Sequence, residues 1–131
     1  MQFQQLENIR SKHPSLSPLI DTLANYISGE IDEGRTRIVP ALAATYMKRS
    51  EAEATALLML FEDAGLLNHQ FDIICTRNNA VVLTLPDLSD LQRRLPLHCQ
   101  LCDRDHESDD LRVELVFEVT SVQVFKQHAI A

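Results

Sequence analysis

The sequence predicts an α+β fold, with helices through its N-terminal half and a small antiparallel β unit behind them. Three observations carry that expectation. Up to Leu67 the apolar residues recur at three- and four-residue intervals, as in Leu19, Leu23, Ala24 and Ile27 and again in Ala54, Leu57, Leu58 and Phe61, which is the period of a helix with one buried face. From Phe71 onward they gather into short β-branched runs divided by turn residues, the pattern of strands. Between the two lies the stretch 38–67, where two short helical patterns meet at a polar turn containing Lys48 and Arg49.

The elements follow in order. Residues 2–12 place Phe3, Leu6 and Ile9 on one helical face and end near His13-Pro14. Ser17-Pro18 then reads as an N-cap with proline at the first helical position, where its missing N–H has no partner to lose. The helix expected there covers about 18–28, with Gly29 limiting how far it runs and Ile31-Asp32-Glu33-Gly34 as a polar break. Residues 35–39 alternate like a short strand. Pro40 opens the next helix, which residues 41–46 continue with high helix propensity. Ser50 stands three residues before Glu53, the spacing of a capping box, so a second helix starts near Glu51. Gly65 supplies the left-handed residue that ends it, and Leu66-Leu67 re-enter the core.

Beyond Leu67, Asn68-His69-Gln70 reads as a connector, 71–75 as a strand, Arg77-Asn78-Asn79 as a turn and 80–85 as the antiparallel partner strand. Residues 86–94 fit a short helix capped by Asp87 or Ser89, 95–99 a returning strand and 103–110 an acidic loop. The longest strand-like stretch is 111–125, with Val113, Leu115, Phe117 and Val119 on one face and a bend near Thr120-Ser121. The expected organisation is a helical segment and core over 1–70 and a β unit over 71–131, within one compact domain.

At 131 residues, 45% hydrophobic and 24% charged, the composition is that of a globular chain of about one domain. No run of about eighteen apolar residues is present, so no membrane span is expected. The opening MQFQQLENIR lacks the basic-then-apolar profile of a secretory signal, and the expected location is the cytoplasm. A net charge of −7 works against partners recognised through phosphates, because such contacts dominate nucleic-acid affinity and need a basic patch. Three cysteines, an odd number, fit thiols kept reduced for metal or for packing better than a disulfide framework.

Residues 40–67 resemble the helix-turn-helix part of winged-helix domains, through the run Leu42-Ala43, Ser50, Glu51-Ala52, Leu57-Leu58, Leu60 and Ala64-Gly65-Leu66-Leu67. The resemblance implies a winged-helix core preceded by a short strand, and says little about ligand. The alternative is an ordinary helical hairpin in some other α+β domain.

Cys99-Gln100-Leu101-Cys102 is a C-x2-C pair, the spacing at which two thiolates in a tight turn bind one tetrahedral zinc. Cys75 precedes it by a turn, a strand and a short helix, and Asn78 stands where a matching pair would place its second thiol. The stretch 71–106 therefore resembles a zinc ribbon whose first knuckle, Cys75-Thr76-Arg77-Asn78, has lost its second cysteine. It also departs from ribbons after each thiol of the intact pair, with Gln100 and Asp103 where they favour proline and glycine. A structural site needs four ligands, and His106, one loop beyond Cys102, is the candidate for the fourth, ahead of His98 and Asp103. The expected cofactor is one zinc on Cys75, Cys99, Cys102 and His106. The alternative is a ribbon that keeps its shape without metal and buries Cys75 as a small apolar residue.

No catalytic constellation is visible. His98, beside Cys99, falls on the opposite side of a strand, and a redox C-x-x-C pair would open a helix, whereas this one runs into an acidic loop. That loop lacks the glycine and terminal glutamate of a calcium site, and His13, His69 and His128 read as isolated surface residues. A DNA-reading helix-turn-helix sets its second helix in the major groove. The outward residues here, Glu51, Ala52, Thr55, Ala56, Met59, Glu62 and Asp63, include no cation. A second apolar surface of Ala52, Ala56, Met59 and Leu60 is expected to be buried within the fold. The expected function is a non-enzymatic protein-interaction or regulatory adaptor with a protein partner, and the second reading is a winged-helix DNA-binding regulator. A continuous positive patch of Arg35, Arg37, Lys48, Arg49 and Arg77 would favour duplex DNA, and an exposed apolar patch would favour a protein.

Overall fold

The computed structural model describes residues 4–130, with side chains to Lys126, so Phe3 and the side chain of His128 lie outside the described residues. The architecture is α+β, with helices first and β structure concentrated behind them. The chain divides into two compact units, one formed by residues up to Asn68 together with those from Phe117 on, the other by His69–Val116.

In the first unit α1 covers Gln4–Lys12 and buries Leu6 and Ile9. A 3-10 turn, Pro14–Leu16, leads into α2, Ser17–Asp32. Two expectations fail here. The N-cap is Leu16, with no side-chain bond, so Ser17 is already helical, and α2 continues through Gly29 instead of stopping near 28. The reason is packing: Ile27 and Ile31 extend the buried stripe, and that burial outweighs the roughly 1 kcal/mol that a mid-helix glycine costs. The helix is capped by Glu33, and Gly34, left-handed at φ 82, turns the chain away behind it. Beside that end the Tyr26 hydroxyl donates to Glu30 Oε1 at 2.8 Å and Arg35 Nε donates to Glu30 Oε2 at 2.6 Å.

Strand β1 is only Arg37–Ile38, and α3 follows over Pro40–Met47 with proline in its first turn. Lys48 stops α3 in the left-handed region at φ 58. The expected capping box opens α4, Glu51–Asp63: Ser50 Oγ accepts from the Glu53 N–H at 3.1 Å, and Glu53 Oε1 accepts from the Ser50 N–H at 3.3 Å. Its C-terminus closes through Gly65, φ 82, with the Leu66 N–H reaching the Phe61 carbonyl at 3.0 Å and the Gly65 N–H reaching that of Glu62 at 2.9 Å. Only glycine takes that φ without strain. Ala54, Leu57, Leu58 and Phe61 face inward as the periodicity requires. The second apolar surface does not: Ala52, Ala56 and Met59 are exposed and Leu60 is half-buried.

Strand β2, Leu67–Cys75, begins at Leu67 and absorbs the expected connector Asn68-His69-Gln70. It pairs antiparallel with β3, Val81–Leu85, setting Phe71 opposite Leu85 and buried Asp72 opposite Thr84, whose hydroxyl donates to Asp72 at 2.8 Å. Asp87 caps the following 3-10 turn, Leu88–Asp90, which runs into α5, Leu91–Arg94. Strand β4 is Leu97–Cys99, and the region 103–110, expected as a loop, contains β5, Arg104–His106, and a 3-10 turn, Ser108–Asp110. Strand β6 covers Leu111–Val119 and then gives way to α6, Val122–Ile130, where the sequence suggested more strand. Phe125 is fully buried and stacks on Phe61 at a centroid distance of 6.1 Å, a tertiary contact that overrides the β-propensity of its neighbours. The strands form a four-stranded sheet in the order β1-β6-β2-β3 and a separate pair, β4-β5, where the sequence suggested a single small antiparallel unit.

Candidate metal centre

The second unit positions four donors from three strands and one turn. Cys75 ends β2, Cys99 ends β4, Cys102 lies in the turn after it, and His106 ends β5. Antiparallel pairing of β4 with β5 sets Leu97 opposite His106 and Cys99 opposite Arg104. The three sulfurs and one His106 ring nitrogen all lie within 4.8 Å of one another. Tetrahedral zinc, with bonds of about 2.3 Å to sulfur and 2.0–2.1 Å to nitrogen, needs donors roughly 3.5–3.8 Å apart. Cys75 and Cys102 Sγ are 4.0 Å apart, and Cys102 Sγ is 3.2 Å from His106 Nε2, so these two pairs need shifts of a few tenths of an ångström and the widest, at up to 4.8 Å, must close by about 1 Å to hold such an ion.

The surroundings explain the geometry. Cys75, Cys99 and His106 are buried, at 0, 2 and 1% exposure, which shields the centre from water. Asp103 adopts φ 54 directly after Cys102, a left-handed turn that aspartate tolerates better than most residues and that curls the peptide around Cys99. The Cys102 N–H, and after it the neighbouring side chains and the Leu101 N–H, lower the Cys99 thiol pKa. Burial raises that of Cys102, reinforced by the adjacent Cys99 and Cys75. Three sulfurs this close repel as anions, so only a cation at their centre lets all of them ionise. The His106 Nδ1 faces Asp110 Oδ2 at 4.0 Å, leaving Nε2 toward the sulfurs.

Both weaker candidates lie outside this set. His98 is exposed, its Nε2 3.2 Å from Asp103 Oδ1 and its Nδ1 3.1 Å from Asp105 Oδ1, and Asp105 chiefly raises its pKa. The four residues singled out in the sequence as candidate ligands are brought together, and two neighbours of that cluster were not anticipated in the sequence. Thr76, beside Cys75, is bonded to Asp110, and Asn78 places its amide nitrogen 3.8 Å from Cys99 Sγ. Spacing marked Asn78 as the site of a missing thiol, but no signal pointed to Thr76.

No protein-family model, no curated protein and no solved structure matches the chain. Among the described residues no helix is long and apolar enough to cross a membrane.

Proposed function

We propose that the chain is a non-enzymatic protein-interaction module, a winged-helix core with a zinc-ribbon-like extension whose Cys75, Cys99, Cys102 and His106 hold one structural zinc. The observation that carries the metal assignment is the convergence of the four donors within 4.8 Å. The ion would supply cohesion and no chemistry: with all four positions filled by protein, none is left for a substrate. Zinc quantified by elemental analysis in protein purified without a histidine tag tests this, with about one ion per chain as the supporting result.

The interaction reading rests on α3 and α4. Leu42, Tyr46 and Met59 are exposed at 57, 52 and 54%, and a shallow cleft of about 170 Å³ lies between Leu16, Leu19, Ala56, Leu57 and Leu60 with Glu53 at its side. Exposed apolar surface of this kind favours protein contact. If so, Ala56→Arg and Met59→Glu abolish co-purification of a partner from native cells while leaving the melting temperature unchanged. Retention of the same partner by both variants refutes this use of the face.

The second reading, a winged helix bound to duplex DNA, draws on the exposed Lys48 and Arg49 in the turn before α4. Against it, Arg49 lies 3.8 Å from Glu53 and Arg35 is bonded to Glu30, and α4 presents exposed Glu51 and Asp63. Titration with random-sequence duplex at low salt, where phosphate attraction is strongest, discriminates the two. Micromolar binding lost on changing Thr55 and Met59 would reverse the order.

A further inference from the structure

The two turns that present the cysteines are built alike, and the likeness reaches one residue beyond the ligand set. Cys99 and Cys102 bracket a turn whose next residue, Asp103, is left-handed at φ 54. Cys75 and Asn78 bracket one of the same length, followed by Asn79 at φ 58, and the Asn79 N–H closes it on the Cys75 carbonyl at 2.8 Å. Position 78 thus corresponds to position 102. The Asn78 side chain is also aimed. The Ala80 N–H donates to its Oδ1 at 2.9 Å, which settles which end of the amide is which, and the Nδ2 then faces Cys99 Sγ at 3.8 Å.

We propose that Asn78 is a positioning residue of the metal centre, donating to the Cys99 thiolate from the place of a fourth thiol, and that a thiol at position 78 would take over the coordination supplied by His106. The proposal rests on the zinc reading above. Its chemistry is a charge adjustment. Three thiolates and an imidazole leave a dication at net −1, where four thiolates leave −2, and the amide adds a neutral donor beside one sulfur. A hydrogen bond to an ionised sulfur is stronger than one to a neutral group, and outer partners of metal ligands typically hold about 10- to 100-fold in affinity.

The test titrates the full chain with cobalt(II), whose sulfur-to-metal charge-transfer bands report the number of thiolates, and then with zinc against a competing chelator. Asn78→Ala is expected to weaken zinc roughly 10- to 100-fold with the three-thiolate spectrum kept. Asn78→Asp, which preserves the bond to Ala80 but sets an anion against the sulfur, should weaken it at least as much. His106→Ala weakens binding further, and Asn78→Cys combined with His106→Ala restores it with a four-thiolate spectrum. Wild-type affinity in both Asn78→Ala and Asn78→Asp, or a double variant no tighter than His106→Ala and still showing three thiolates, overturns the proposal. A wild-type chain that binds neither ion overturns the zinc reading along with it, whereas loss confined to the expected variants supports both.

Discussion

Thr76 gives both its donors to one acceptor: its N–H and its hydroxyl reach the Asp110 carbonyl at 3.1 and 3.0 Å. Asp110 also turns its carboxylate toward His106 Nδ1, 4.0 Å away. One residue therefore braces the turn after Cys75 and sets its carboxylate, which accepts from the Glu107 N–H at 3.4 Å, behind the histidine ring, the place that partners of ligating histidines commonly occupy. Asp110→Ala is expected to lower zinc affinity roughly 10- to 100-fold, with Asp110→Asn intermediate. Chelator competition measures it, and equal affinities for all three chains would mean that His106 is oriented by something else.

Removal of the ion should be felt locally. Because a structural ion's binding energy counts toward folding, a chelator is expected to strip hydrogen-exchange protection from the amides of β4 and β5 and leave those of α2 and α4 protected. Uniform loss along the chain, or none, contradicts the assignment of zinc to the second unit.

Phe61 is fully buried on α4 and stacks on Phe125. Phe61→Ala removes that contact and leaves a cavity, so it should cost about 3–5 kcal/mol, and Leu58→Ala about 2–5 kcal/mol. Denaturant unfolding gives both values. An unchanged midpoint for Phe61→Ala would put the stripe on the surface.

The cluster at the end of α2 predicts a pH dependence. The Arg35 hydrogen bond, more than any other contact, lowers the Glu30 pKa below 4.5. A carboxylate lowered in the folded state contributes stability above its unfolded pKa and loses it as pH falls through the folded value. The gap in stability between the wild type and Glu30→Gln should therefore close below about pH 4.5, and added salt should shrink it, since Arg35 is 59% exposed. Burial, then the bond to Glu30, pushes the Tyr26 phenol up to about 12. In Glu30→Gln on a Tyr46→Phe background, phenolate absorbance should move Tyr26 partway back toward 10.0, because burial remains.

Much of the helical half was legible because its signals are local. Ser50 and Glu53 cap each other three residues apart, and Gly65 needs no distant partner to take its left-handed turn. The clustering of Cys99, Cys102 and His106 was legible for the same reason, since they are near neighbours in sequence, whereas Cys75 joins them from a distant strand end. What was missed depends on tertiary contact. Phe125 makes helix of a β-branched segment by packing on Phe61, Ile31 carries α2 past Gly29, and Thr76 meets Asp110 across a long stretch of chain. The exposure of Ala52, Ala56 and Met59 belongs with these, because a second apolar face reads the same whether or not another segment covers it.

Cys99, Cys102 and His106 come from one hairpin, and Cys75 comes from the end of β2. This arrangement implies an order of assembly. Bringing near neighbours together loses less chain entropy than closing a long loop, so an ion would meet the hairpin donors first and Cys75 last. Until Cys75 arrives, water would hold the fourth position and the ion could still exchange. Loading would then be a local event and sealing a tertiary one, with Cys75 as the latch that turns a metal-bearing hairpin into a closed unit.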